Sequence, residues 1–234
     1  MNIAIILSGG IGSRLGGNLP KQYIKVAGKP IINYCVETFS HRSDIDMLVF
    51  VMAEDWIDYF LKNIRLIQKP YYFARPGITR QLSVYNALNV CKANGVDESD
   101  IIIIHDAARP LVTDKIIDQC IKGCQTHDGV LPVINVKDTI YLSQDGKQIS
   151  TLLDRRCLFA GQSPESFRFG KYLQIHKQLD YDEISLITGS TEIAYKSGLN
   201  IKLIKGDEIN FKITTSEDLS SFETIIVSMK KNTQ

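Results

Sequence analysis

Short apolar runs alternate with segments of helical period through the first half of the chain. Four runs rich in isoleucine and valine are continuous enough for strands buried on both faces, at residues 3–7, 47–52, 101–105 and 130–134. Between them, apolar residues recur every three or four positions, which predicts helices at residues 30–42, 55–67, 79–95 and 113–125. This alternation predicts an α/β fold, a three-layer α/β/α sandwich with a mainly parallel sheet.

Three residues indicate where these helices begin. Pro30 suits the first helical position, because its missing N–H would have no partner there. Thr79 and Thr113 suit N-caps, since a threonine side-chain oxygen can accept from a free backbone N–H of the first turn.

The pattern changes after the fourth strand. Residues 136–160 alternate apolar and polar positions around the turn signal Asp145-Gly146, which predicts a hairpin-like β-arm. Helices near residues 169–179 and 191–197, a strand at 200–205 and a closing helix from Ser216 follow. No linker or repeat interrupts the chain, so we expect one domain over residues 1–234.

Composition narrows the possible partners. With 234 residues and a net charge of +1, the chain lacks the basic excess that a nucleic-acid partner would require. No apolar run approaches bilayer length, so no membrane partner is expected. The start MNIAIILSGG has no basic residues before its short apolar run, which favours a first strand over a secretory signal and makes the cytoplasm the expected location.

The cysteines favour structural positions over a metal site. Five cysteines in a chain without a predicted signal indicate free thiols. Cys120 and Cys124 share their helical spacing with Ile117 and Ile121, so they are expected on the apolar face of a helix, and no other pair completes a zinc site.

A glycine-rich stretch, LSGGIGSRLGGNLPKQY at residues 7–23, follows the first strand. The dinucleotide-binding fingerprint fails here, because Leu15 occupies its third glycine position, and the ATPase loop fails, because Asn18 replaces its lysine. Glycines still allow backbone N–H groups to approach phosphate oxygens closely, and Arg14 and Lys21 add two cations. The stretch predicts a phosphate-binding loop.

This stretch resembles the nucleotidyltransferases that load a sugar or polyol phosphate onto a nucleotide. The further motifs HDAARP (105–110), Asp138-Thr139 with Asp154-Arg155, and GDEINFKITTSEDL (206–219) are similar to those of the cytidylyltransferases for 2-C-methyl-D-erythritol 4-phosphate and D-ribitol 5-phosphate. The matches keep the family order over residues 1–219. The resemblance implies a Rossmann-like nucleotidyltransferase fold with a β-arm for dimerisation.

The resemblance also implies a reaction and a set of site residues. A polyol phosphate would attack the α-phosphorus of CTP, giving a CDP-polyol and pyrophosphate. The implied catalytic residues are Arg14, Lys21 and Lys212. The implied CTP-binding residues are Leu7, Ser8, Gly9, Gly10, Gly12, Ser13, Gly77, Arg80, Ser83 and Asp106.

The remaining expectations concern the metal and the acceptor. Asp106, with Asp207 as a second carboxylate, would bind Mg²⁺, a cation that prefers oxygen ligands. Thr139, Arg155 and Arg109 would bind the polyol phosphate, with Arg109 equally suited to fixing the HDAARP turn. In the family the arm crosses to a second subunit, so the resemblance implies a homodimer whose sites are completed by the neighbour.

Several alternatives stay open at this point. GQSPESF (161–167) and EDWIDYF (54–60) favour the ribitol branch, but Gly189 stands where the family usually carries Thr-Asp, so another sugar phosphate is an alternative acceptor. Ile78 stands where the family often carries an acidic residue, so selectivity for a pyrimidine base over a purine stays open. A metal-dependent glycosyltransferase would be expected to carry a D-x-D motif after a strand, but the HDA stretch at residues 105–107 contains one acidic residue. A non-catalytic nucleotide-binding protein would be expected to lack one of the catalytic cations, whereas Arg14, Lys21 and Lys212 are all present here.

Overall fold

The computed structural model describes residues 1–10, 19–64 and 67–231. Within these ranges the strands are β1 (Asn2–Leu7), β2 (Lys25–Val26), β3 (Lys29–Pro30), β4 (Met47–Val51), β5 (Tyr71–Ala74), β6 (Ile101–Asp106), β7 (Gly129–Asn135), β8 (Tyr141–Leu142), β9 (Thr151–Leu152), β10 (Phe159–Gly161), β11 (Glu165–Arg168) and β12 (Ile201–Lys205). The α-helices are α1 (Ile31–His41), α2 (Ile57–Asn63), α3 (Arg80–Ala93), α4 (Asp114–Cys124), α5 (Phe169–Lys177), α6 (Tyr181–Ser185), α7 (Ser190–Lys196) and α8 (Ser216–Lys231).

The central sheet is mixed but mostly parallel. Its described strands run β10-β7-β11-β6-β1-β4-β5, and β12 also pairs with β7. Strands β6, β1, β4 and β5 are mutually parallel, and β12 is parallel to β7, whereas β10 and β11 are antiparallel to their partners. Leu7 pairs with both Val51 and Asp106, so the carboxyl ends of β1, β4 and β6 meet at one edge. Open α/β sheets bind their ligands at such an edge.

Helices cover both faces of this sheet, as the alternating pattern predicted. Successive side chains of a strand point to opposite faces. Ile3 and Ile5 of β1 therefore lie in one core with residues of α3 and α5, and Ala4 and Ile6 lie in another with residues of α1 and α2. The three-layer α/β/α sandwich is confirmed.

The predicted elements are found close to their expected positions, and the described residues form five short strands and one short α-helix in addition. Thr79 and Thr113 are N-caps, accepting from the backbone N–H groups of Leu82 and Ile116. Pro30 is the N-cap of α1, one residue before the expected position. Strands β2, β3, β5, β10 and β11 and helix α6 were not predicted, because each has only two to five residues and shows no clear period.

The excursion forms a small separate hairpin. Strands β8 and β9 pair antiparallel, with Tyr141 opposite Leu152. Apolar side chains of this hairpin are solvent-exposed in the single chain, namely Tyr141, Leu142, Ile149 and Leu152. We call residues 136–160 the β-arm.

The cysteines lie as predicted. Cys120 and Cys124 are buried on α4 and pack with Ile116 and Val130. No cluster of three potential metal ligands occurs among the described residues. Within the same ranges, no helix has the length and apolar character needed to span a membrane.

Candidate active site

A cavity of about 460 Å³ opens at the carboxyl ends of β1 and β6. Most of the sequence-predicted nucleotide residues meet here. Its lining includes Leu7, Ser8, Gly9, Gly10, Lys21, Gly77, Arg80, Ser83, Asp106 and Lys212. Gln22, Ile78, Thr79, Ala107, Ala108 and Thr214 also contribute. Gly12, Ser13 and Arg14 lie outside the described residues.

A larger groove of about 930 Å³ between α1 and α8 is less suited to a polyanion. Arg42 there is already paired with Asp44, Asp114 and Asp118. Lys29 is likewise paired with Glu37, at 2.6 Å. The smaller cavity is therefore the candidate site.

The first wall of the cavity is the loop that follows β1. The backbone N–H and hydroxyl of Ser8 both donate to the Val51 carbonyl, at 2.8 and 2.9 Å. The amide nitrogen of Gln22 donates to the Ser8 and Gly10 carbonyls, at 2.6 and 2.9 Å. A Cβ on Gly9 would lie 2.5 Å from the Pro76 Cβ, so only glycine allows this approach. Gln22 thus fixes the carbonyl directions of the loop, a role that the sequence analysis missed.

The opposite wall is the loop before α3. The Ser83 hydroxyl accepts from the Gly77 N–H at 2.9 Å and donates to the Thr79 carbonyl at 2.9 Å. A Cβ on Gly77 would lie 2.5 Å from the Leu82 Cβ and 2.9 Å from the Ser83 nitrogen. Ile78, at the tip of this loop, is 79% exposed. Gly77 and Ser83 therefore form a tight, preformed turn at the cavity rim.

Opposite charges converge on Asp106 at the end of β6. Arg80 Nε lies 3.2 Å from Asp106 Oδ1, and Lys212 Nζ lies 2.8 Å from Asp106 Oδ2. Burial alone would raise the pKa of Asp106, but the charges of Arg80, Lys212 and Arg109 hold that pKa far below its usual range. Asp106 is therefore a carboxylate at any physiological pH.

Lys21 and Lys212 reach the cavity from opposite ends of the chain. Lys21 Nζ donates to the Ile213 carbonyl at 2.7 Å, and the Ile213 N–H donates to the Ala108 carbonyl at 2.8 Å. The loop after β1, the HDAARP turn and the segment before α8 are thus joined around one cavity. Both lysines line it.

Residues of the HDAARP turn also make hydrogen bonds to one another and to neighbouring segments of the cavity wall. His105 Nε2 lies 2.9 Å from the Arg109 carbonyl oxygen, and burial lowers the His105 pKa to about 4, so the ring is neutral at pH 7. Arg109 Nη1 donates to the Asn210 carbonyl at 2.7 Å. The Ser163 hydroxyl accepts from the Asp106 N–H at 3.1 Å. Sequence reasoning gave Ser163 no role, because a serine in a loop carries no signal of that contact.

Comparison with known proteins agrees with this geometry. The family model described as IspD, 2-C-methyl-D-erythritol 4-phosphate cytidylyltransferase, matches residues 2–228. The chain belongs to the IspD family. It is therefore a member of a family of CTP-dependent nucleotidyltransferases, as the loop and the HDAARP motif implied.

Individual relatives extend over nearly the whole chain. A 2-C-methyl-D-erythritol 4-phosphate cytidylyltransferase of Clostridium novyi (strain NT) is 35% identical, covering 98% of each chain. A ribitol-5-phosphate cytidylyltransferase of Vibrio parahaemolyticus is 32% identical, covering 97% of this chain and 96% of that protein. The crystal structure of a 4-diphosphocytidyl-2C-methyl-D-erythritol synthase superposes with a TM-score of 0.78 at 25% identity, covering 96% and 98% of the two chains.

None of the three acceptor residues predicted from the IspD family resemblance lines the cavity, and Arg109 donates to the Asn210 carbonyl instead. Thr139 and Arg155 are exposed on the β-arm, and neither lines the cavity of its own chain. Arg155 Nη1 donates to the Lys137 carbonyl at 2.9 Å, whereas Arg156 pairs with Asp154 at 2.8 Å. Within one chain, the arm thus contributes no residue to the lining of the cavity.

One carboxylate of the predicted metal pair is at the cavity. Asp106 lines it, whereas Asp207 is exposed, and its carboxylate accepts from the Ile209 N–H. Mg²⁺ usually keeps several waters and binds one or two carboxylates together with substrate phosphates. Asp106 alone therefore fits as the protein ligand of a phosphate-bound Mg²⁺, and Asp207 does not join it.

Proposed function

We propose that this protein transfers CMP from CTP to a polyol phosphate, releasing pyrophosphate and a CDP-polyol. The observation that carries the proposal is the meeting of the loop after β1, Lys21, Asp106 and Lys212 in one cavity. The IspD family membership supports the choice of CTP as the nucleotide.

The nucleophile in this reaction is an oxygen of the acceptor phosphate. A phosphate monoester has its second pKa near about 6, so it is largely a dianion at neutral pH and needs no general base. The enzyme has to bring two polyanions together and neutralise the charge that grows on the five-coordinate phosphorus. A cavity with lysines and backbone N–H groups suits this task, and no side chain has to take up a proton.

Each group at the cavity has a proposed part. Lys21 and, outside the described residues, Arg14 hold the triphosphate and stabilise the transition state. Lys212 contacts the α-phosphate. Asp106 is the protein ligand of Mg²⁺, which when bound would neutralise phosphate charge and orient the pyrophosphate leaving group. Gln22 keeps the carbonyls of Ser8 and Gly10 directed away, so that the loop presents N–H groups to the anion.

The turn formed by Gly77 and Ser83 is the proposed base-recognition wall. Its width is set by contacts that leave no space for a Cβ on Gly77. A narrow turn excludes the larger purine base. Backbone groups and the Ser83 hydroxyl lie near enough to form hydrogen bonds with the edge of a pyrimidine or with the ribose. We therefore expect a preference for CTP over ATP.

The acceptor is proposed to be 2-C-methyl-D-erythritol 4-phosphate or ribitol 5-phosphate. Relatives carrying either name match nearly the whole chain, those for the first at somewhat higher identity. Thr139 and Arg155 of a second subunit would bind the acceptor phosphate, which makes the protein a homodimer joined through the β-arm. The exposed apolar side chains of the arm support this arrangement.

The test is a pyrophosphate-release assay with CTP, Mg²⁺ and each acceptor in turn. We expect release with one of the two polyol phosphates and much weaker release when ATP replaces CTP. Absence of release with both acceptors and with other pentitol phosphates would overturn the proposal. Omission of Mg²⁺, with EDTA present, should abolish the reaction.

A further inference from the structure

Arg80 borders the cavity, but its guanidinium makes three contacts with side chains of the protein. Nε lies 3.2 Å from Asp106 Oδ1, Nη1 donates to the Ser190 hydroxyl at 2.6 Å, and Nη2 lies 2.8 Å from Glu165 Oε1. Each of the three nitrogens therefore has an acceptor within the chain. Such a guanidinium is suited to holding neighbouring groups in place.

Glu165 is the first residue of β11, and its second carboxylate oxygen also has partners within the chain. Glu165 Oε2 accepts from both the N–H and the hydroxyl of Thr191, at 2.8 and 2.7 Å. The carboxylate is 9% exposed and does not line the cavity. It thus ties Arg80 to the first turn of α7 from a position that substrate does not reach.

The charges form an alternating row, Lys212, Asp106, Arg80 and Glu165. If Glu165 carried no charge, Asp106 would be the one carboxylate among the described residues that pairs with Arg80, and it would still pair with Lys212. Buried ion pairs are stable only when every charge keeps its partner. The charge on Glu165 therefore gives Arg80 a second carboxylate, so that Asp106 does not pair with Arg80 alone while it also pairs with Lys212.

We propose that Glu165 is a positioning residue for the transfer reaction: through Arg80 it orients Asp106 and Lys212, and through Thr191 it fixes the start of α7. The inference rests on the cytidylyltransferase function proposed above. Glu165 acts through Arg80 and touches neither nucleotide nor acceptor, so it affects the transition state more than the binding of CTP.

The first experiment replaces the charge alone. Glu165→Gln keeps the size and an acceptor oxygen for Thr191 but removes the charge facing Arg80. We expect kcat to fall about tenfold or more and the KM for CTP to change less than about threefold. Glu192→Gln is the matched control, since Glu192 lies on the same helix α7 and contacts Thr188 and Lys196 instead. This control should keep the kcat of the wild type.

The second experiment separates positioning from a general structural effect. Ser190→Asp places a carboxylate beside Arg80 Nη1, where the Ser190 hydroxyl now lies. In the double variant Glu165→Gln/Ser190→Asp we expect kcat to recover to within about threefold of the wild type. Glu165→Asp, which keeps the charge, should retain more activity than Glu165→Gln. Thermal unfolding of each variant establishes that the compared proteins are folded.

The outcomes separate this inference from the proposed function. A wild type that releases no pyrophosphate with any acceptor would refute the function itself. An active wild type with an unchanged kcat in Glu165→Gln would refute the positioning role. Equal loss in Glu165→Asp and Glu165→Gln, without recovery in the double variant, would also refute it, because the charge would then have no part.

Discussion

At the scale of single residues, Lys21 lies where the beginning and the end of the chain meet. Its ammonium donates to the Ile213 carbonyl and lines the cavity with Lys212. A lysine held against a backbone carbonyl is pre-oriented, so little reorganisation is needed when phosphate charge develops beside it.

Replacing Lys21 should therefore impair the reaction step. Lys21→Ala is expected to lower kcat by about 10²-fold or more, the scale typical of losing one transition-state donor. Pyrophosphate release at saturating CTP measures the effect. Lys25→Ala is the matched control, because Lys25 is exposed on the neighbouring strand β2 and does not line the cavity. Near-normal turnover in Lys21→Ala would show that the glycine loop has been misinterpreted.

The resemblance to the cytidylyltransferase family predicted the cavity residues that lie within its motifs. It identified Ser8, Asp106 and Lys212, which the structure brings together. It gave no role to Gln22, Ser163 or Glu165, since their contacts depend on chain segments that approach only in three dimensions. His176, for which no role was predicted, lies in the last turn of α5 and is fully buried.

At the scale of elements, the β-arm is the segment with the least support from its own chain. Strands β8 and β9 have two residues each, and among the described strands they pair only with each other. Tyr141 and Leu152, which lie opposite one another, are 54% and 61% exposed. A two-stranded hairpin of this kind is marginally stable alone, so it needs a second surface.

A charge on the arm should therefore separate the proposed dimer. Leu152→Glu is expected to convert a dimer into a monomer and to lower activity at least tenfold, if Thr139 and Arg155 act in the partner's site. Sedimentation velocity with an activity assay measures both effects. Leu203→Glu on β12 is the control, because Leu203 is 50% exposed but lies outside the arm. A dimer that survives Leu152→Glu would argue against this interface.

The sheet shows why some elements escape sequence analysis. The buried strands β1, β4, β6 and β7 were predicted from continuous apolar runs. Strand β11 was not, because Glu165 and Arg168 interrupt its apolar character and α5 begins immediately after it. Its antiparallel position between β6 and β7 also breaks the strand-helix alternation on which the prediction relied.

At the scale of the whole molecule, two buried histidines couple folding to pH. Burial lowers the pKa of both His105 and His176 to about 4. Their unfolded pKa is about 6.5, so the unfolded chain binds more protons between these values. The stabilisation is complete above about pH 6.5 and is lost as the pH falls towards 4.

Urea unfolding at pH 7 and pH 5 tests this coupling. Each buried histidine should cost about 2 kcal/mol of unfolding free energy over that interval. His176→Asn should therefore reduce the loss by about that amount, relative to the same interval in the wild type. His41→Asn, at an exposed histidine, should leave the loss unchanged. An identical loss in all three proteins would contradict the assignment.

The contact between Lys21 and Ile213 also bears on how the protein is made. The two residues are 192 positions apart, and Lys212 reaches Asp106 across 106 positions. On the ribosome, the strands from β1 to β11 leave the exit tunnel well before residues 206–215, and β12 leaves it just before them. A nascent chain can thus complete most of its core while its catalytic centre still lacks a wall. Prematurely terminated products that end before this segment would be folded in large part yet inert, so they could not consume CTP.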